Sequence, residues 1–578
     1  MPQENKRSLD EIDAEGERIA VVGSPSSTSE MRLDILGTAA DKRIVGAFTY
    51  FVYQQDGFKH CALGQVTDVK LTNVWAQDPT MRGLIRQKGR VDPITERQDT
   101  HVATMSPGAV FVQNEDTFDQ SILGTVPPTG TSVKLVTGEL LDMLLADYQE
   151  ELLYLGRIYG TQTLLPMWFR HFGRGNGGAG EAYHLGVFGK TGSGKSVLAR
   201  MILLAYAQHE AMSILVIDPQ GEFAKTLAPE TPIGRVLREV LGRTVRTHRA
   251  CDLVLYHWPL FWRFLTATRF FTKLEIYRPE NIENATMQFK DLLRGLDTWD
   301  LASEDAFDRV WNGLTQDDIL RRIFSGVLYQ DRLRNARMTL DRNEMLDMWM
   351  AVAQLFTRSN RPQPVTTRDI CERLTEEGGE ASIVILDVSE ADAPEGIAWT
   401  DEIQSIVIRT LIQELKQAGL NEYRNDRLQN LLVIIDEAHR FAPREHVESE
   451  VLMELRGELV DAILTTRKYG LGWAFISQTL GSLHRDIINQ MRIYFFGYGL
   501  QWGNELRALR GLLGGMVEPL NLYQSFQDPE SALRVRRYPF MAMGPVSPLS
   551  FAGYPLFFNA LSCPNEDPNE YLEVNFHE

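Results

Sequence analysis

Cysteine is scarce: Cys61, Cys251, Cys371 and Cys563 are the four in 578 residues, far apart and without a Cys-x-x-Cys pair. That spacing implies neither a disulfide framework nor a cysteine zinc site, and it fits a reducing cytosol. No apolar run approaches the ~20 residues a membrane helix needs; the longest, such as Leu431 to Ile435, have the length of a strand. The opening residues Glu4, Lys6, Arg7, Asp10 and Glu11 are charged, so no signal peptide is expected and the chain reads as soluble and cytoplasmic. Positive charge is in deficit too, with 59 Lys and Arg against 77 Asp and Glu, a balance of −18. This is the wrong sign for a surface that coats DNA, although a ring can be acidic outside and basic only in its channel.

No internal repeat is visible, and the composition is neither disordered nor fibrous. A chain this long exceeds one compact core, so two or three domains are expected. Short strands broken by Gly, Pro, Ser and Asp (Arg18–Gly23, Ile44–Tyr53, Leu63–Leu71, Ala109–Val112) suggest a small β-barrel at 17–150, behind a disordered stretch at 1–16. The alternating aromatics Phe48, Tyr50, Phe51 and Tyr53 fit barrel packing better than base stacking. Leu140, Leu141, Leu144 and Leu145 predict a helix over Thr137–Leu155. The loop Gly173-Arg174-Gly175-Asn176-Gly177-Gly178-Ala179-Gly180 then leads into strand His184–Phe188, a helix from Lys195 to about Gln208 and strand Ser213–Ile217. Strand, helix, strand within some thirty residues is a βαβ unit, hence an α/β fold with a parallel sheet. It occupies 151–257 and resumes at 376–530, around a helical insertion at 258–375, and the Pro-containing tail 531–578 reads as extended.

One motif in this framework carries definite chemistry. Gly189-Lys190-Thr191-Gly192-Ser193-Gly194-Lys195-Ser196 satisfies Gly-x-x-x-x-Gly-Lys-Ser, follows an apolar strand and opens a helix that continues through Val197. Glycines let backbone N–H groups point inward at phosphate oxygens, and the helix adds its positive end. Lys195 is placed to neutralise β- and γ-phosphates of ATP, and the Ser196 hydroxyl to ligate Mg²⁺. Gly-x-Gly-x-x-Gly is absent at this turn, against a dinucleotide fold.

A second apolar strand, Leu431–Ile435, ends in Asp436-Glu437, and strand ends of a parallel sheet face the ligand crevice. Asp436 is positioned to hold Mg²⁺ through water and Glu437 to polarise the attacking water. Asp387 ends a similar strand without an adjacent Glu and reads as structural.

These motifs, with Asp218-Pro219-Gln220-Gly221-Glu222-Phe223, the run Ala438-His439-Arg440-Phe441, Thr466-Arg467-Lys468-Tyr469-Gly470-Leu471-Gly472 and Ile476-Ser477-Gln478, resemble the HerA family of the HerA–FtsK translocases. Gln220 departs from the His common in that family. The resemblance implies a RecA-like P-loop ATPase in a homohexameric ring, with ATP between subunits and the C-terminal tail bracing a neighbour. It implies double-stranded DNA as substrate and a nuclease or sirtuin-like effector as partner, in DNA end processing or antiphage defence. Arg467 matches the family's Arg-Lys-Tyr-Gly arginine, a finger for a neighbouring site or else a helix-end salt bridge, with Arg507 and Arg510 as alternatives. Gln478 fits a γ-phosphate sensor. Lys190, Lys225 and Arg485 face DNA or simply solvent. No nuclease constellation is evident in the chain, and an ATP-dependent scaffold that activates an effector is the rival reading, ahead of a conjugation-type secretion ATPase.

Overall fold

The computed structural model describes residues 7–92, 95, 98–115, 117–175, 177–359, 363–375, 381–393, 399–550, 553–561 and 569–576. Asn176 of the glycine-rich loop and Cys563 lie outside them.

The chain first builds strands β1 Arg18–Val22, β2 Met31–Ile35, β3 Phe48–Gln55, β4 Phe58–Thr72, β5 Thr100–Asn114, β6 Thr117–Ser121 and β7 Ser132–Leu135. Their order is β2-β1-β7-β3-β4-β5-β6, and β2 also pairs with β5. That extra pairing closes six strands into a barrel, which leaves fewer bare sheet edges. Alternation along β3 sorts its aromatics onto two faces. Phe51 and Tyr53 fill the barrel interior, while Phe48 and Tyr50 pack outward against the next domain. All four are buried core residues.

Two expectations near the N-terminus are corrected. Residues 9–15, read as disordered, form the helix Leu9–Glu15, because Ser8 and Glu11 make a reciprocal capping box and Leu9 and Ile12 are buried. The helix read over Thr137–Leu155 spans only Gly138–Leu144, capped by Thr137. After it the chain turns into a strand, since Leu153, Leu155 and Ile158 are buried in the second sheet.

Among the described residues that second sheet has eleven strands. After β8 Leu153–Ile158 and β9 Leu164–Met167 come β10 Leu185–Phe188, β11 Ser213–Asp218 and β12 Val245–Arg249. A two-stranded pair, β13 Leu253–Val254 with β14 Val365–Thr366, closes the base of a helical excursion. Then follow β15 Ile383–Asp387, β16 Leu431–Ile435, β17 Leu471–Ser477, β18 Ile493–Gly497, β19 Pro539–Met543 and β20 Leu556–Ala560. The order is β12-β15-β11-β16-β17-β10-β18-β19-β20-β8-β9. Pairings from β12 to β18 are parallel, and those from β18 through β19, β20 and β8 to β9 are antiparallel. The central strands are apolar between their end residues and buried at every residue, as a sheet covered on both faces requires.

Helices from Trp258–Ala267 to Arg342–Ala353 form the excursion, around an aromatic core in which Phe261 meets Trp349 edge-on at 4.9 Å. The tail beyond residue 530 corrects a further expectation. It is not simply extended: β19 and β20 add to the chain's own sheet, and Asn569–Asn575 is helical.

Candidate active site

Parallel strands in register bring their carboxyl ends to one edge. Asp218 stands beside Asp387, Ile217 beside Ile435, and Phe188 beside Ser477. The loop Gly189–Ser196, Asp218, Asp387, the Asp436-Glu437 pair and Gln478 therefore share one rim of the sheet, where an α/β ligand crevice belongs.

The loop follows β10 and passes directly into the helix Lys195–Ala207. Gly192 and Gly194 have φ of 78° and 87°, left-handed values that favour glycine and turn the chain around the crevice. Ser193 and Lys195 are buried, whereas Lys190 and Thr191 are exposed. The ammonium of Lys195 donates to the carbonyl of Lys190 at 3.0 Å. Burial pulls its pKa below the ordinary lysine value, against the opposing charges of Glu437, Asp436 and Glu222. Lys195 thus faces three carboxylates across the crevice. Lys190 lies over the Trp502 ring at 5.2 Å.

Asp436 and Glu437 are both buried. Burial and the adjacent Glu437 push Asp436 up to about 7, opposed by the Glu437 N–H that its carboxylate accepts at 2.9 Å. Glu437 adopts φ 48°, strained for a residue with a side chain. Its Oε1 accepts a hydrogen bond from Gln478 Nε2 at 2.7 Å, and Gln478 Oε1 accepts one from Thr191 Oγ1 at 3.1 Å. On the other side Glu437 Oε2 lies 3.3 Å from His439 Nδ1, and Ser477 Oγ approaches the same nitrogen at 3.4 Å. A continuous polar chain runs from the phosphate loop through Gln478 to Glu437 and on to His439.

A protein-only metal cage is absent among the described residues. The residues nevertheless fit Mg²⁺ beside a nucleotide, which takes few protein ligands and the rest from phosphate and water. Ser196 Oγ donates to Glu222 Oε2 at 3.3 Å, and buried Asp436 is an acid whose raised pKa a cation would relieve.

Other sequence candidates fall outside this cluster. Asp218 accepts the N–H groups of Gln220, Glu222 and Ala224 at 3.3, 3.2 and 2.9 Å, so it shapes the turn that carries Glu222. Asp387 accepts the Ser389 N–H at 2.9 Å. Arg467 sits at the amino end of β17, where its carbonyl accepts the Ala182 N–H and its side chain pairs with Glu181 at 3.3 Å. A seven-residue strand separates it from Gln478, about 20 Å at ~3.3 Å per residue. The structure therefore keeps Arg467 away from the chain's own loop. Arg507 and Arg510 are exposed on helix Gly503–Leu512, whose Glu505 holds the N–H groups of Leu480 and Gly481 just past Gln478.

Sequence reasoning named Glu222 and His439 without giving them roles, and it missed Glu530 and Tyr538. A Cβ on Gly192 would lie 2.5 Å from Glu530 Oε1, and one on Gly194 would lie 2.5 Å from Tyr538 Cδ1. Both lie at or just past the start of the tail, more than three hundred residues from the loop, and no spacing signal announces them.

Comparison with known proteins adds to this geometry. Residues 182–400 match the family described as DUF87, Helicase HerA, central domain. No curated protein matches the chain. Among solved structures it is similar to VirB4 of Thermoanaerobacter pseudethanolicus, at 15% identity over 71% of this chain and 97% of that one, with a TM-score of 0.38. It is similar also to the bacterial conjugative coupling protein TrwBdeltaN70, at 12% identity over 75% and 94%, TM-score 0.37. The genome packaging NTPase B204 from Sulfolobus turreted icosahedral virus 2 follows, at 11% over 66% and 98%, TM-score 0.28. The matched segment carries the phosphate loop and its helix, the turn with Glu222, the helical excursion and β15, so the similarity to the HerA central domain covers the first part of the large sheet and stops short of Asp436, Glu437 and Gln478.

Proposed function

We propose that this chain hydrolyses ATP with Mg²⁺ in the crevice at the rim of its large sheet, and that hydrolysis drives a homohexameric ring along double-stranded DNA. The observation that carries the reading is the hydrogen-bonded path from Thr191 in the phosphate loop through Gln478 to Glu437. A phosphate loop alone binds nucleotide. A carboxylate tied to that loop by an amide is equipped to respond to the γ-phosphate.

In this reading the loop N–H groups and the buried Lys195 take up phosphate charge. Glu437 accepts a proton from the attacking water, and the Gln478 amide holds that carboxylate in line. Ser196 and Asp436 would hold Mg²⁺, which when bound draws charge from the phosphate oxygens. Arg467, remote from its own site, serves as a finger in a neighbouring subunit's site, which requires the ring. The partner is a nuclease or a sirtuin-like effector, in DNA end processing or antiphage defence.

The acid excess of 18 charges favours protein docking. It sustains a second reading, in which the ATP-bound assembly organises and activates an effector without processive movement. ATP hydrolysis measured with and without linear duplex DNA separates the two, with Lys195→Ala as blank. Stimulation by DNA that disappears in the variant supports the motor; hydrolysis indifferent to DNA moves the conclusion to the scaffold.

A further inference from the structure

The phosphate loop is touched from outside by one distant segment, twice. The short turn Pro529–Ser531 sets Glu530 against Gly192, and Tyr538, just before β19, lies against Gly194. Between these anchors residues 532–537 have no helical or strand structure. They include Arg534, Arg536 and Arg537, all exposed and without a carboxylate partner among the described residues. Leu533, beside them, is fully exposed.

Three guanidiniums within four residues repel one another, and in a chain with a net charge of −18 they are a local reversal of sign. Each presents a planar fork that matches phosphate oxygens two at a time. Geometry limits where they can act. Consecutive Cα atoms lie 3.8 Å apart, so Arg536 and Arg537 start within about 8 Å of the Tyr538 Cα. Arg534 is four residues from Glu530 at the other anchor. Pinned at both ends, the segment stays over the loop, and the anion this loop selects is a polyphosphate.

We infer that Arg534, Arg536 and Arg537 form a strap that contacts the phosphates of the nucleotide held by the same chain's loop and sets its preference for the triphosphate. The inference rests on the reading of the crevice as an ATP site. Tyr538 and the turn Pro529–Ser531 position the strap; the arginines touch the ligand.

The test titrates full-length protein with fluorescent analogues of ATP, ADP and AMP in the presence of Mg²⁺. It compares the natural chain, the triple variant Arg534→Ala, Arg536→Ala, Arg537→Ala, and the same triple changed to Lys. All three side chains are exposed, so the fold should persist, and a thermal melt checks it. Losing charge-assisted bonds to phosphate, the Ala variant should bind ATP about tenfold or more weakly and AMP nearly as before, with partial rescue by Lys. Unchanged ATP affinity overturns the strap, as does equal weakening for all three nucleotides, which marks a structural role. A loss confined to binding of linear duplex DNA overturns it too and assigns the arginines to nucleic acid. If the natural chain and Lys195→Ala fail alike to bind nucleotide, the ATP-site reading itself falls.

Discussion

Gln478 donates its amide N–H to the Glu437 carboxylate at 2.7 Å, while its amide oxygen accepts the hydroxyl of Thr191 in the phosphate loop at 3.1 Å. One side chain is thus committed to both halves of the site, and both of its polar ends are specified. Glutamine supplies a donor and an acceptor on a single planar group, which neither glutamate nor leucine of similar size can do.

Gln478→Ala should therefore bind ATP with near-normal affinity yet hydrolyse it about 10- to 100-fold more slowly, since a mispositioned base loses part of its usual contribution. Nucleotide titration together with steady-state phosphate release reads the two quantities. A variant that loses affinity and turnover in equal measure would show that Gln478 supports the loop rather than the base.

Glu437→Gln keeps the shape of the side chain and removes its basicity. Hydrolysis should fall by about 10²- to 10⁴-fold while ATP stays bound. Retention of labelled ATP after rapid gel filtration checks this, and rapid conversion to ADP in the variant would remove Glu437 from the base role.

Arg467 stands at the far end of its strand from the chain's own site, paired with Glu181. Arg467→Ala should leave nucleotide affinity intact and abolish hydrolysis. Mixing it with Glu437→Gln should restore activity in part, because a mixed ring contains some sites with a sound base and a sound neighbouring arginine. No recovery at any ratio would return Arg467 to its salt bridge alone.

Glu530 places a carboxylate against Gly192, where nucleotide phosphate belongs. Glu530→Gln removes an exposed like charge, and ATP affinity should rise about two- to fivefold at low salt, with the gain shrinking at high salt. Equal affinity at both ionic strengths would show that the carboxylate swings clear of the bound nucleotide.

His184 is buried, and its Nδ1 accepts the Trp473 N–H at 3.3 Å. Burial, aided by the nearby Arg467, holds its pKa down at about 4 against an ordinary 6.5. Because the folded value lies below the unfolded one, the unfolded chain takes up more protons between these limits, and stability falls as pH drops from 6.5 towards 4. From pH 8 to 5 the loss assigned to this group is about 2 kcal/mol. Denaturant midpoints for the natural chain and for His184→Gln should converge across this range; parallel pH profiles would exclude His184 as the source.

The outline of the site was legible because its parts are local. Gly189–Ser196 is contiguous, and Asp436-Glu437 and Gln478 each terminate an apolar run whose burial makes it a strand of the parallel sheet. The barrel was legible from turn residues, but its closure was not, since the pairing of β2 with β5 joins segments some seventy residues apart. The helix read over Thr137–Leu155 illustrates the opposite error. Leucines at helical spacing end at Leu145, and Leu153 and Leu155 alternate toward a sheet whose partner strand β20 lies four hundred residues away. Glu530 and Tyr538 escaped for the same reason: tertiary folding alone lays the tail against the loop.

One buried side chain has a mechanical consequence. Gln65, on barrel strand β4, takes the N–H of Phe557 at 2.9 Å and gives its own amide hydrogens to the carbonyls of Phe557 at 3.0 Å and of Gly46. It behaves as one more rung between the barrel and β20. From β20 the ladder continues through β19 and β18 to β10, the strand that delivers the phosphate loop. A pull on the barrel would load this ladder across four strands, as far as β10 and the loop that begins at Gly189. The two domains share one hydrogen-bonded network, and a load applied to the barrel would reach the strand that delivers the loop.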